Sequence, residues 1–467
     1  MRHLLIAAAL LSISCAAEFV PRVPPLQRFV YPTGVAHLDG AADSPEGTLY
    51  VVSSNFDRRF DSGGLTALDL TALLQRGLPA FGKHPVGTRP IQVTDLQVEE
   101  GNRVIVDNFG GDVATRLAPA GEASSFPVSL YVPSRSEQAL VHAISADPAA
   151  LDQLSCQTGP GQDCRQGAAS LVRVAGASGD FPRIETPSRV GVGARGVYVT
   201  QEAPSDSPNG ASQGTGAATF DNFLFQVDTE APGNTGVGQF RSIGDTASHA
   251  IAVGSRYAYI AGRLKPRQGA LVESPLVELV DLSQTRAGVS AQVEAAYASR
   301  EARGIAVTGA EDRIYLAARN PDALLVLDVK GHEGASPVIT LIKAIPLPDG
   351  ASDVKIIERS SASGDNLVAV TCTNGHVLTI YDDRNGQVVS QLIVGEQPYA
   401  VTIDVRTGGG ARLFVSNFRD GRVAVVDIPD LTVPQDTRLV AHLGQAQRCP
   451  TEGTLVGPCE QTTEVDP

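Results

Sequence analysis

No tryptophan occurs in the 467 residues, and methionine occurs once. WD repeats, Trp-docked quinoprotein propellers and Asp-box sialidase repeats all use a Trp to fasten neighbouring strands, so none of these is expected. Positive charge is also short. Lys and Arg number 37 against 51 Asp and Glu, a formal net charge of -14. A nucleic-acid partner is therefore excluded, because phosphate backbones are held by basic surfaces that release counterions. Beyond the N-terminus no apolar run reaches the length needed to cross a bilayer. What is present is glycine (47), proline (30) and 42% apolar residues, the profile of a turn-rich globular chain rather than a collagen, coiled coil or disordered polymer.

The first residues pair Arg2 with an apolar run from Leu4 to Ile13. That run is too short for an anchor and right for a secretory h-region. Ser14-Cys15 closes it in the manner of a bacterial lipobox, with Ser12 in place of the usual Leu, so Cys15 is the expected lipidation site. The chain is thus divided into a signal peptide (1–15), a Pro-rich tether (16–30), a main domain (31–445) and a C-terminal tail (446–467). The remaining cysteines agree with export. Cys156 and Cys164 bracket QTGPGQD, and Cys449 and Cys459 bracket PTEGTLVGP; each pair is expected to be a local disulfide. Neither loop has zinc-ligand spacing. Cys372, inside LVAVTC, reads as a small buried hydrophobe.

Internal repetition decides the architecture. The clearest unit, Gln391 to Ile428, strings together alternating apolar strands, a Gly-rich turn, a strand ending near Asn417 and another ending at Asp427. Related units end at Asp69, Asp228, Asp281, Asp328 and Asp382, and an irregular one carries Ser145. Seven copies of three period-2 strands, each with a further strand before the next copy, predict a seven-bladed β-propeller of four-stranded antiparallel blades. The acids recur once per blade, which argues for turn capping rather than catalysis. In this scheme the Cys156 loop follows a third strand and faces away from the mouth where the inner strands begin.

The strings LFVSN, IYLAARN and VYVTQ, each between a P-x-x-V-x-V-like strand and a G-x-V-x-V-x-D-like strand, resemble the YVTN family of β-propeller repeats. The resemblance covers about Gly34 to Ile428 and implies the propeller fold. It leaves function open among cell-surface proteins, lactonase-like enzymes and subunits of redox enzymes. DNFGGD at Asp107 to Asp112, LYVPSR and the following Cys pair are similar to a subgroup of bacterial lipoproteins.

Matching positions at the start of each first strand are Gly34, Asp112, Arg189, His249, Arg303, Asp353 and Tyr399. In an up-and-down blade these share the channel mouth with the ends of the second strands, which add Arg135, Glu202, Arg263 and Arg319. Arginines hold anions through paired hydrogen bonds. An anionic ligand is therefore expected at this ring, with Asp112 and Asp353 holding the arginines and His249 and Tyr399 orienting it. No haem-attachment, zincin, serine-hydrolase or Walker signature is present, and no cofactor or metal is expected. The sequence is read as an exported, lipid-anchored binding or interaction module of the cell envelope. Its partner is expected to be an envelope protein or an anionic small ligand, and its membrane contact the lipid alone. The bacterial outer membrane is favoured, because Ala16 is not an acidic retention signal. The alternative is a lactonase-like or lyase-like enzyme with a metal near His249, Asp112 and Asp353.

Overall fold

The computed structural model describes residues 24–40, 44–58, 60–119, 124–135, 140–157, 162–165, 187–201, 222–227, 237–244, 247–263, 277–283, 289–292, 301–448 and 460–461. Seven small antiparallel sheets of four strands stand in a ring, giving the seven-bladed propeller expected from the repeats. Blade 1 contains β1 (Pro32–Leu38), β2 (Thr48–Ser53) and β3 (Gly63–Asp69). It is completed, after a long excursion that includes β4 (Ile91–Val93), by β5 (Arg103–Val106). Blade 2 contains β6 (Ala114–Leu117), β7 (Val128–Ser134), β8 (Leu140–Asp147) and β9 (Ala150–Cys156). Blades 3 to 7 occupy 187–244, 247–292, 301–346, 351–393 and 398–443.

Second strands are apolar on both faces because each sheet is sandwiched between its neighbours. β2, β7 and the strand Gly410–Asn417 are buried at every position, whereas the outer strand Val338–Pro346 alternates towards solvent. Tyrosines take the fastening role that Trp would fill. Tyr50 of blade 1 donates to the Leu151 carbonyl of blade 2 at 2.7 Å. Tyr259 of blade 4 reaches Glu311 of blade 5 at 2.9 Å, and Tyr315 of blade 5 reaches Asp383 of blade 6 at 2.7 Å. Each buries a ring between sheets while satisfying its hydroxyl.

Three of the repeated acids, Asp69, Asp281 and Asp382, cap turns as their periodicity implied, whereas Asp328 pairs with Lys330 and Asp427 with Arg412. Asp69 caps the short helix Leu70–Gln75 by accepting the Thr71 and Ala72 N–H groups. Asp281 accepts from Ser283 N–H, and Asp382 from Arg384 N–H. Asp228 lies outside the described residues.

Ring closure involves a device the repeats do not contain. β4 leaves blade 1 and adds a fifth, parallel strand to blade 7, pairing Ile91, Gln92 and Val93 with Ala441, His442 and Leu443. Leu70, Leu73, Leu78, Val93, Leu96 and Val98 from the excursion share one buried cluster with Leu49 and Val51 of blade 1 and Phe414, Val425 and Val440 of blade 7. Phe29, just ahead of β1, is buried in the same cluster. Polar bonds lock this clasp. Asp427 forms a two-point ion pair with Arg412 at 2.7 and 3.1 Å and also accepts Gly82 N–H at 2.9 Å. Arg412 in turn donates to the Pro79 carbonyl at 2.9 Å.

Cys156 and Cys164 form a disulfide. Its loop follows β9, the fourth strand of blade 2, and not a third strand. The tight turn at Pro148-Ala149 sends the chain straight back from β8 into β9, a hairpin hidden by its short, weakly apolar return strand. Asp163 bridges to Ile105, so the loop lies against the outer strand of blade 1. Cys372 is buried and free, and burial pushes its thiol up to about 12. Cys15, Cys449 and Cys459 lie outside the described residues; the two-residue strands Gln447–Arg448 and Glu460–Gln461 pair on either side of the second cysteine loop.

Candidate functional site: an arginine-lined channel mouth

In six of the seven blades the innermost strand carries a register shift near its start. A bulge bends its strand and re-aims side chains. Here the shift falls at Ser188, His249, Arg303, Ser352 and Tyr399. These five, together with Gly111, Arg135, Arg189, Arg319 and Thr373, wall a cavity of about 230 Å³. Six of the eleven residues expected at the mouth therefore meet there: Arg135, Arg189, His249, Arg303, Arg319 and Tyr399.

Asp112 and Asp353 adjoin the cavity without lining it. Asp353 accepts the N–H groups of Val354 at 2.9 Å and of Val401, on the next blade, at 3.0 Å. Asp112 accepts Val113 N–H at 2.8 Å and lies 3.4 Å from Arg189. Gly34 is at the corresponding level of blade 1, where its backbone packs against that of Asp112 and Val113 too closely for a Cβ. Glu202 and the side chain of Arg263 lie outside the described residues.

Arg189 is built into the wall. Only 8% exposed, it donates to the His249 carbonyl at 3.1 Å and lies over the Tyr399 ring at 5.5 Å. Burial works against its charge, but Asp112, Tyr399 and Asp353 outweigh that and raise its pKa. Burial raises the Asp112 carboxyl, and Asp353 adds to this against the pull of Arg189 and Lys355. Arg319 donates to the Gly350 carbonyl at 2.9 Å and to that of Ala351. Its pKa is lowered by burial and then by Arg303. Arg303 pairs with Glu301 and lies 3.4 Å from His249 Nδ1. Among the described residues four arginines outnumber Asp112, Asp353 and Glu301 at the mouth of a chain whose net charge is -14. A concave site focuses the field of such a cluster onto whatever enters it.

Sequence reasoning missed Glu301, Ser188 and Ser352. Each stands within two residues of a ring arginine or aspartate, the one signal that pointed to them. The metal-assisted alternative fares worse. Among the described residues the one set of three His, Cys, Asp or Glu ligand atoms within 4.8 Å of one another is His37, Asp39 and Asp404, so His249, Asp112 and Asp353 do not converge. Asp404 is itself engaged by Arg406, whose guanidinium would compete with any cation.

Together the blades and their mouth define a seven-bladed β-propeller with an arginine-walled polar cavity. No family model matches the sequence, and no curated protein matches it. A functionally unknown protein from Desulfotomaculum acetoxidans is similar at 15% identity and a TM-score of 0.34, over 48% of this chain and 62% of that one. This chain thus spans less than two thirds of that relative. Hydrazine synthase from Kuenenia stuttgartiensis is similar at 13% identity over 88% of this chain and 97% of that chain, with a TM-score of 0.48. The Cps50 (Swd1) β-propeller domain of Myceliophteria thermophila is similar at 10% identity over 87% and 99%, with a TM-score of 0.47. The fold assignment rests on the seven sheets themselves.

Proposed function

We propose that the protein is an exported, non-catalytic binding module of the bacterial cell envelope, anchored by a lipid on Cys15, which holds an anionic group of its partner at the channel mouth. The resemblance of its repeats to YVTN-type propellers of the bacterial lipoprotein kind supports this reading. The observation that carries this reading is the convergence of Arg135, Arg189, Arg303 and Arg319 on one small cavity of an otherwise acidic molecule. Guanidinium groups held in a fixed frame pair with carboxylate or phosphate oxygens at little reorganisation cost. Arg189 is itself part of the frame, so the test falls on Arg303 and Arg135.

Charge reversal at Arg303 should cost about 2 to 5 kcal/mol in affinity if the pair it makes is desolvated. Envelope components captured by wild type and by Arg135→Gln/Arg303→Glu protein, matched for melting temperature, give the readout. Loss of partners from the variant is expected. An identical partner list would reduce the mouth to a collar of mutually neutralising charges. In parallel, Cys15→Ser should move the protein out of the membrane fraction.

A further inference from the structure

Aromatic residues make up 5% of the chain, yet five of them meet on one side of the mouth. Tyr31 and Phe56 come from blade 1, Phe109 from the connection to blade 2, and Tyr399 and Phe418 from blade 7. Ring centroids lie 4.9 Å apart for Tyr31 and Phe418, 5.6 Å for Phe56 and Phe418, 5.8 Å for Phe56 and Phe109, and 6.0 Å for Tyr399 and Phe418. Phe56 is 53% exposed and Phe109, Tyr399 and Phe418 are half-buried over the buried Tyr31, so the cluster forms a shelf whose open edge is Phe56. Tyr399 belongs to both features, since the same ring walls the arginine cavity and touches Phe418.

The backbone beneath the shelf is held in a costly shape. Tyr31 (φ 51°) and Phe109 (φ 60°) adopt the left-handed conformation, as do Asn55, Arg58 and Gln397 around them. For a bulky side chain this conformation is unfavourable, and it persists where surrounding bonds over-determine it. Those bonds are present: Ser54 N–H donates to the Tyr31 carbonyl at 3.1 Å, and Phe109 N–H to the Ser54 carbonyl at 2.7 Å. Asn55 ties the loop together through the Phe60 carbonyl and Asn108. The shelf is preorganised.

Two features narrow the occupant. The rings cross at 87° for Phe56 and Phe109 and 72° for Phe56 and Phe418. Tyr31 and Phe418 are tilted at 47° and Tyr399 and Phe418 at 34°, so the array is mixed and admits one more apolar or aromatic side chain against Phe56. Among the described residues arginines outnumber acids at this small cavity of a net-negative chain, which suits a single carboxylate better than an extended polyanion. From this we infer that the mouth is a peptide-docking site: an Asp, Glu or C-terminal carboxylate enters the arginine cavity while an adjacent apolar side chain packs on Phe56 and Phe418. The inference rests on the proposed reading of the cavity as an anion site and adds the class of partner.

The test uses the full chain against an array of acetylated tetrapeptides in which Glu or Asp stands beside Phe, Leu or Ala, with Gln and Asn replacements and trigalacturonate as the sugar-acid arm. Positive peptides are then titrated by fluorescence anisotropy. Acid-plus-Phe peptides should bind, and losing either the carboxylate or the ring should weaken them about tenfold. Phe56→Ala should erase the preference for Phe over Ala while retaining the preference for Glu over Gln; Arg303→Gln should do the reverse. Phe56→Leu, which keeps an apolar contact, should restore part of the loss. Carboxylate binding that ignores Phe56, or trigalacturonate binding as tightly as the peptides, would overturn the peptide site and leave the anion site standing. Carboxylate ligands that bind no better than their amides would remove both.

Discussion

The buried pair at the clasp yields a quantitative expectation. Arg412 and Asp427 are 1% and 0% exposed, and the clasp residues Pro79 and Gly82 complete their hydrogen bonding. Asp427→Asn leaves the Arg412 guanidinium in the interior without its counter-charge, which should cost about 3–5 kcal/mol. Arg412→Met combined with Asp427→Leu removes both charges, and apolar replacement of a buried pair is often near neutral. What then remains lost are the bonds to Gly82 N–H and the Pro79 carbonyl, about 1 kcal/mol each, because both groups are part-exposed and water can replace the partner. The double variant should therefore recover more than half of the single variant's loss in urea denaturation. Amide hydrogen exchange should quicken at Ile91–Val93 and along Arg438–Leu443 in both variants, since both loosen the clasp. The reasoning fails if the double variant is as unstable as Asp427→Asn, or if exchange at β4 is unchanged while stability falls.

Two further perturbations have defined signs. His442, buried under β4, has its pKa pushed down to about 3, by burial first and then by Arg422. The unfolded chain takes up that proton near pH 6.5 and the folded one does not, so this contribution to stability is lost as pH falls from about 6.5 towards 3. Asp420 opposes it, since burial raises its carboxyl to about 6 despite Arg422. The folded chain holds this proton where the unfolded one releases it, so the contribution is fully present below about pH 3.8 and is lost as pH rises through 6. His442→Gln should thus gain stability relative to wild type on acidification from pH 7 to 4, measured by urea midpoints, and a constant difference would refute the assignment. Tyr315→Phe removes the bond to Asp383 and leaves the buried Asn366 amide without the 2.9 Å acceptor it uses, for a loss of about 1–3 kcal/mol. A change in unfolding free energy below about 0.3 kcal/mol would show that this hydroxyl does not fasten blade 5 to blade 6.

The propeller was legible because blade strands announce themselves locally. Strings such as TLYVVS, RIYLAAR and GARLFVSN combine apolar continuity with turn residues at both ends, and their order repeats. The ring at the mouth was legible to within one residue. A bulge adds a residue without any compositional mark, so sequence matching placed Arg189, His249 and Asp353 at one level although the structure spreads them over two neighbouring positions. The clasp was not legible. Ile91–Val93 is three residues long, exposed at its first two positions, and pairs with a strand some 350 residues away in sequence, so neither periodicity nor length marks it. The aromatic shelf escaped for a related reason. Tyr31, Phe56, Phe109 and Phe418 fall at loop positions and Tyr399 at a strand start, scattered over the chain, and only ring closure brings the two ends of that series together.

Closure by a clasp gives the seam between blades 7 and 1 a character that the other six seams lack. No strand is shared across it, since each of the two blades owns its four strands and the fifth is a guest at the outer edge. Parting this seam would leave the four-stranded blades intact and would require the guest strand to detach, one apolar cluster to split and the bonds of Asp427 and Arg412 to the clasp to break. At the opposite, inner margin the same seam is bridged by Tyr31 on Phe418. The ring is therefore buttoned at two radii, and a molecule resting on the shelf straddles the join itself. A ligand that bound there to the closed ring and not to the parted one would stabilise closure by linkage, so occupancy of the shelf and integrity of the ring would be coupled.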